Sequence, residues 1–427
     1  MLFSSAAAIE RLEVEQAIAQ LLPQDRLPVD PRPDGTPEPP PDGAQDGAPD
    51  GVPDGAPAAS AEADDGIDLL GTRSWALLPQ VGFGPATGIL GGVKFVDRNL
   101  LGNRTTFDIE GFYSQNEQNV VRLTVATPPL LDDQLLILFR GAYEKDPQRR
   151  FWGLGNNDQG PEPASVNGIE DIRAGLTFSW RPIQRLSLNV ESGWRRVNIS
   201  DGNGLDDLPF TTDEFPALTG IEGGDVSPLA LSLVWTSRDD IFNPTEGWRL
   251  ILKALHTNRD LGSDFEYTQF IGDLGFVYSF FDDNLTLAAR ANGEQILGPD
   301  QAVPYWEMAE LGGDDTLRGF FPHRFYGTGR VVVNTEVRFP IADFDFFNLW
   351  RVRIGGVAFG DTGRVFISDQ AIREEEGESA RAEVNRYRWD YGGGVRISLS
   401  EALVARIDVG FSEEETALVY LAFGQTF

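Results

Sequence analysis

The stretch richest in chemistry is Leu311–Gly329, reading LGGDDTLRGFFPHRFYGTG. At its centre, Leu317-Arg318-Gly319-Phe320 sets one cation between an aliphatic and an aromatic neighbour, with a glycine for the turn. A guanidinium is a planar fork of N–H donors, and the group that matches it best is a carboxylate. Two carboxylates, Glu336 and Asp361, lie in the strand-like runs that follow. Other reactive chemistry is scarce. There is no cysteine, which excludes disulfides and thiol catalysis. The two histidines, His256 and His323, lie far apart, and no serine or aspartate spacing links to either. No catalytic residue, metal site or cofactor is therefore assigned, and the chain is not read as an enzyme. His323 reads as a loop contact. The acidic runs Glu374–Glu378 and Glu413–Glu415 read as solvated loop faces.

Bulk properties narrow the class. The chain has 427 residues and a net charge of -31, which repels phosphates and argues against a nucleic-acid partner. No run of about 18 apolar residues is present, so no transmembrane helix is expected. A membrane β-barrel stays open, because its strands alternate and leave a weak hydropathy signal.

From Trp75 onward the side chains follow period two. In Leu403–Phe411, Leu403, Ala405, Ile407, Val409 and Phe411 share one face, against Val404, Arg406, Asp408 and Gly410 on the other. Arg185–Arg195 and Arg330–Phe339 repeat the pattern, and by parity Glu336 and Asp361 both fall on polar faces. A soluble sandwich also alternates. Opposite charges paired on the polar face over successive strands suit a polar lumen inside an apolar, lipid-facing wall. Sixteen such runs occur, near 76–84, 87–98, 104–115, 119–127, 134–144, 168–181, 185–198, 227–238, 247–258, 265–281, 284–296, 329–341, 349–362, 386–400, 402–411 and 416–427. Mostly short turns on one side (99–103, 182–184, 282–283, near 400) alternate with a set that includes the long polar loops (145–167, 199–226, 297–328, 367–385). The expectation is an all-β, 16-stranded antiparallel transmembrane barrel over residues 69–427, with both termini on the short-turn, periplasmic side. Trp180, Phe280 and Phe281 fall near strand ends, where interface aromatics belong.

The N-terminal part is of another kind. Residues 1–24 include a short amphipathic helical pattern, with Val14, Ala17, Ile18, Leu21 and Leu22 at helical spacing. Residues 25–68 form an acidic Pro/Gly/Asp run with no means of building a core, read as a disordered linker. The opening MLFSSAAA lacks a basic region and a full apolar core, so it does not read as an intact signal peptide.

With the barrel laid out, the chain resembles the BamA/TamA-type outer-membrane assembly family, the bacterial surface antigen family. The resemblance rests on motifs in order: Val81–Asn103 as an opening hairpin, Phe151–Asn156 (FWGLGN), Ser237–Gly247 (SRDDIFNPTEG), Leu317–Phe320 (LRGF), Asn334–Pro340 (NTEVRFP) and Phe359–Gly363 (FGDTG). Leu317–Phe320 matches the tip of a long loop that folds into the lumen. Phe359 and Gly363 flank Asp361 in the last motif. The resemblance implies that Arg318 docks on Asp361 and Glu336. The alternative from the residues alone is a solvated Arg318, with Asp361 paired to Arg351 or Arg353. The last strand places Val419, Leu421, Phe423 and Phe427 on one face and resembles the C-terminal β-signal read by barrel-assembly machinery. POTRA domains, usual ahead of such barrels, find neither room nor pattern here.

The resemblance implies a bacterial outer-membrane location and a role in outer-membrane protein insertion or translocation. Implied partners are outer-membrane lipid, unfolded barrel clients and accessory outer-membrane or periplasmic proteins. A scaffold or partner-bound barrel without insertase activity is the alternative, and a diffusion porin a third. Pro79, Gly82, Gly84 and Pro85 in the first strand and Gly424 in the last suggest a weak seam between them, or else mark turns at strand ends.

Overall fold

The computed structural model of the chain describes residues 74–156, 160–205, 207–240, 243–281, 284–298, 303–346, 350–367, 386–399 and 403–423. The expected helix over 1–24 and linker over 25–68 lie outside these, as do Gly424 and Phe427. In chain order the strands are β1 (Trp75–Gly84), β2 (Gly88–Asp97), β3 (Thr106–Ser114), β4 (Asn119–Ala126), β5 (Leu135–Phe151), β6 (Ser165–Ile183), β7 (Leu186–Ser200), β8 (Gly224–Val226), β9 (Leu229–Thr236) and β10 (Glu246–Thr257). They continue with β11 (Tyr267–Phe280), β12 (Leu285–Leu297), β13 (Ala309–Leu311), β14 (Phe325–Gly327), β15 (Gly329–Phe346), β16 (Trp350–Phe366), β17 (Arg388–Leu399), β18 (Leu403–Phe411) and β19 (Leu418–Phe423). Each neighbour in the main sheet pairs antiparallel, and β1 pairs with both β2 and β19, so the sheet closes. Sixteen strands make the barrel. The short β8 is a seventeenth that lies on β7, and β13 with β14 forms a separate two-stranded sheet.

Alternation explains the wall. In β11, Phe270, Leu274, Phe276 and Tyr278 are exposed on the outside, while Gln269, Ile271, Asp273 and Val277 are buried within. Outward apolar bands of this kind belong in hydrocarbon, where the strand ladder pairs backbone donors with neighbouring strands. Aromatics mark both edges of the band. Trp75, Trp180, Trp248 and Phe280 stand exposed near the rim where β1 begins, and Tyr113, Tyr387, Trp389 and Tyr391 near the other rim. Amphipathic rings favour such interfacial levels. The longest connections, 201–228, 298–328 and 367–387, all leave from this second rim.

One loop starts later than the sequence pattern suggests. β5 runs on to Phe151, and β6 begins at Ser165. The ladder continues past a register shift between Asp146 and Arg149, which accommodates Pro147 and its missing N–H. Here Arg149 and Asn167 bond loop residues rather than face lipid, so the apolar alternation stops before the strand does.

The inside of the second rim is filled. Phe151, Val197, Val226, Tyr267 and Ile296 of the wall and β8 pack with Leu218, Val303, Tyr305, Trp306 and Met308 of the loops. Among the described residues β1 meets β19 at one register pair, Phe83 with Leu421, whereas β11 and β12 share thirteen.

Candidate functional site

The loop 298–328 enters the lumen as a hairpin based on β13 and β14. Two glycines turn it. Gly312 and Gly313 sit at φ +110° and +101°, and a Cβ on Gly312 would meet the Phe321 carbonyl oxygen at 2.1 Å. The tip then folds on itself. The Gly313 N–H donates to the carbonyls of Leu317 and Phe320 at 3.2 and 3.1 Å, and the Gly312 N–H donates to Thr316 Oγ1 at 2.9 Å. Leu317 and Phe320 bury themselves among Leu311, Phe325, Val332 and Val365, which fixes the level of the residue between them.

That residue is Arg318, with 0% exposure. Its Nε and Nη2 donate to the two oxygens of Asp361 at 2.7 and 2.8 Å. Its Nη1 donates to Glu336 Oε1 at 2.5 Å. Phe359, two residues before Asp361, lies under the guanidinium at 3.6 Å from ring centroid to Cζ. A bidentate carboxylate pair over an aromatic face defines both direction and height for a planar cation. Burial alone would lower the Arg318 pKa, but Asp361 and Glu336 outweigh it and keep the group charged. The solvated alternative therefore does not describe this fold. Arg353 pairs instead with Asp343, at 3.6 Å.

The wall is shaped for the tip. A Cβ on Gly410 would meet the Arg318 carbonyl oxygen at 2.3 Å, and one on Gly319 would meet Asp390 Cβ at 2.6 Å. Glycine is what lets two backbones approach this closely. Gly363 does the same beneath the loop, where a Cβ would lie 2.8 Å from the Val331 carbonyl oxygen and 3.3 Å from Leu311 Cδ1.

Asn334 and Arg338 lie in the NTEVRFP motif, but the partners of these and of Arg396 were not legible in the sequence. Asn334 donates to Asp361 Oδ1 at 2.9 Å. Arg338 and Arg396 both reach Glu336, at 2.8 and 3.3 Å. Arg396 continues to Asp408 at 2.5 Å, Asp408 to Arg406 at 3.4 Å, and Arg406 returns to Asp314 of the loop at 2.5 Å. The tip and the wall strands β15, β17 and β18 are thus joined by a run of ion pairs that leaves the loop at Arg318 and returns to it at Asp314. Tyr420 on β19 donates from its hydroxyl to the Phe320 carbonyl at 3.2 Å, which carries the contact to the strand beside the seam. Arg406 and Asp408 were legible as the polar face of their strand, but their partners were not.

Elsewhere in the loop, Glu310 is buried and holds His323 Nδ1 at 2.8 Å and Arg149 Nη2 at 2.9 Å. Burial would raise the Glu310 carboxyl, but His323 and Arg149 more than offset it and hold it at about 2. In the last strand Val419 faces outward, on the same face as Leu421 and Phe423, and Leu418, Tyr420 and Ala422 face in. Among the described residues no cluster of three or more His, Cys, Asp or Glu side chains is arranged for a metal.

Comparison with known proteins gives a consistent result. A model of the Omp85 superfamily domain matches residues 99–427. No curated protein matches the chain by sequence. Among solved structures, the fold is similar to BamA from Haemophilus ducreyi lacking POTRA domains 1-3, at TM-score 0.61 and 13% identity over 82% of this chain and 70% of that one. It is similar to CdiB from Escherichia coli, at TM-score 0.57 and 13% identity over 82% of this chain. CdiB from Acinetobacter baumannii follows at 0.50 and 11%. The chain spans 62% and 58% of the lengths of those two CdiB chains.

Proposed function

The chain belongs to the Omp85 superfamily, and on that footing we propose that it inserts or translocates other proteins at the outer membrane, using the seam between β1 and β19. It is an Omp85-family barrel, a fold of the bacterial outer membrane. The observation that carries the finer reading is the docked Arg318, bonded to Asp361 and Glu336 deep inside the barrel. This pairing braces the C-terminal wall, while among the described residues the seam beside it shows one register pair, Phe83 with Leu421. A strand edge with few partners is a template for an incoming strand, since each unpaired N–H and C=O gains from being matched. Pro79 in β1 withholds a ladder donor on that edge. In this reading both termini face the periplasm, from which unfolded barrel clients and accessory proteins arrive. Leu317 and Phe320 hold the loop, Arg318 locks it on Asp361 and Glu336, and Phe359 and Gly363 shape its seat. The outward-facing Val419, Leu421 and Phe423, together with Phe427 of the same sequence pattern, serve as the assembly signal.

The test is reconstitution. The protein is refolded into liposomes, and the insertion of an unfolded client barrel is timed with native protein, with Arg318→Ala and with empty vesicles. Acceleration that Arg318→Ala loses supports the reading. A well-folded native barrel that gives no acceleration transfers the role to a scaffold or partner-bound barrel.

A further inference from the structure

A second set of contacts holds the same loop from the other side of the lumen. On the inner wall a chain of ion pairs passes from strand to strand. Lys94 on β2 pairs with Glu110 on β3 at 3.7 Å, Glu110 with Arg122 on β4 at 3.2 Å, and Arg122 with Glu144 on β5 at 2.9 Å. Glu144 pairs with Arg173 on β6 at 3.1 Å, Arg173 with Asp171 at 2.6 Å, and Asp171 with Arg195 on β7 at 2.6 Å. The chain leaves the wall at Arg195, whose Nη1 donates to Glu307 of the loop. Arg195 also lies over the Trp306 ring at 5.1 Å and donates to the Trp306 carbonyl at 3.5 Å. Trp306 is itself held, its Nε1 donating to the Gly220 carbonyl at 3.0 Å.

The position of this contact gives it meaning. In the barrel order, β7 and β18 stand eight strands apart, on opposite walls. The loop is therefore tied at Glu307 to one wall and at Asp314 and Arg318 to the other. A segment pinned at both ends across a lumen is a strut. Beside it on the β7 side lies a cavity of about 110 Å³ whose lining mixes Arg140, Arg173, Arg195 and Glu191 with Leu255 and Ile271. Charged groups in such a lining favour water over an empty space.

We infer that Arg195 and Glu307 form a second latch, which holds the loop across the lumen and keeps the barrel closed to ions. The inference goes beyond the insertion reading and does not depend on a client. Glu307 is a positioning residue. It acts through the loop, because removing its charge takes away one tie to the β7 wall while Arg318 stays docked on Asp361 and the Trp306 and Tyr305 contacts remain.

Planar-bilayer conductance in potassium chloride tests it, with the full chain and no client present. Native protein is compared with Glu307→Gln, which keeps the size and loses the charge, and with Glu307→Arg, which repels Arg195. Heat-modifiable migration on a gel reports that each barrel is folded. The expected result is more frequent and larger conductance steps in Glu307→Gln than in native protein, and larger still in Glu307→Arg. Should Glu307→Arg fail to fold, Glu307→Gln alone decides. Native conductance in a folded Glu307→Gln barrel overturns the latch. So does failure of both variants to fold, since the pair would then be a requirement of folding and not a closure.

Discussion

Replacing Arg318 by alanine removes one cation from two carboxylates that are not equally dependent on it. Glu336 keeps Arg338 at 2.8 Å and Arg396 at 3.3 Å. Asp361 keeps the Asn334 amide at 2.9 Å, a neutral donor in place of a cation. It is 3% exposed, so its charge stays in a place with little water. Stranding one buried partner costs roughly 3–5 kcal/mol. The cost therefore lies mainly with Asp361, and a second change should relieve it. Arg318→Ala is expected to lower the unfolding free energy of the liposome-reconstituted barrel by about 3–5 kcal/mol. Asp361→Asn alone is expected to cost less, because Arg318 retains Glu336. The double variant is expected to fall short of additivity by roughly 1–3 kcal/mol, the range for residues in direct contact. Urea titration followed by tryptophan fluorescence measures all three. Additive costs, or a loss near zero for Arg318→Ala, would refute the buried, Asp361-centred pairing.

Three further outcomes follow from the same geometry. Gly410→Ala places a Cβ 2.3 Å from the Arg318 carbonyl oxygen, and should cost about 1–3 kcal/mol by forcing the tip off the wall, read by urea titration and by faster proteolysis of the loop. Glu310 has a folded pKa of about 2 against an ordinary 4.5, so its contribution is complete above about 4.5 and fades as pH falls toward 2. Over that window the stability should drop by roughly 3 kcal/mol, and Glu310→Gln should remove this part of the acid dependence. Leu274 faces outward at mid-strand in β11. Leu274→Arg should cost about 2–4 kcal/mol in a bilayer, as a cation at the hydrocarbon midplane does, and an unchanged unfolding midpoint would contradict the lipid-facing wall.

The strands were legible because alternation is a local signal. Each of the sixteen runs read from side-chain parity corresponds to a barrel strand, since a lipid-facing wall enforces period two residue by residue. The end of β5 was missed because the apolar signal stops where lipid stops, while backbone pairing continues to Phe151. At the site, parity gave the face of Glu336 and Asp361, and the LRGF and FGDTG motifs brought Arg318 to them. What parity does not give is height. Glu336 and Arg396 lie 60 residues apart and meet across the one intervening strand of the wall, and Arg195 and Glu307 meet across 112 because the loop folds into the lumen. Pairings of that kind depend on register summed over many turns, which no single stretch of sequence carries.

The seam offers the most direct measurement of the central claim. The chain has no native cysteine, so a pair placed at Phe83 and Leu421, the register partners across β1 and β19, stands alone. Client insertion is timed in the same liposomes with the pair oxidised and then reduced. The account predicts that the oxidised barrel gives no acceleration and that reduction restores it. Equal acceleration in both states, with the crosslink shown to be complete, would contradict an opening seam.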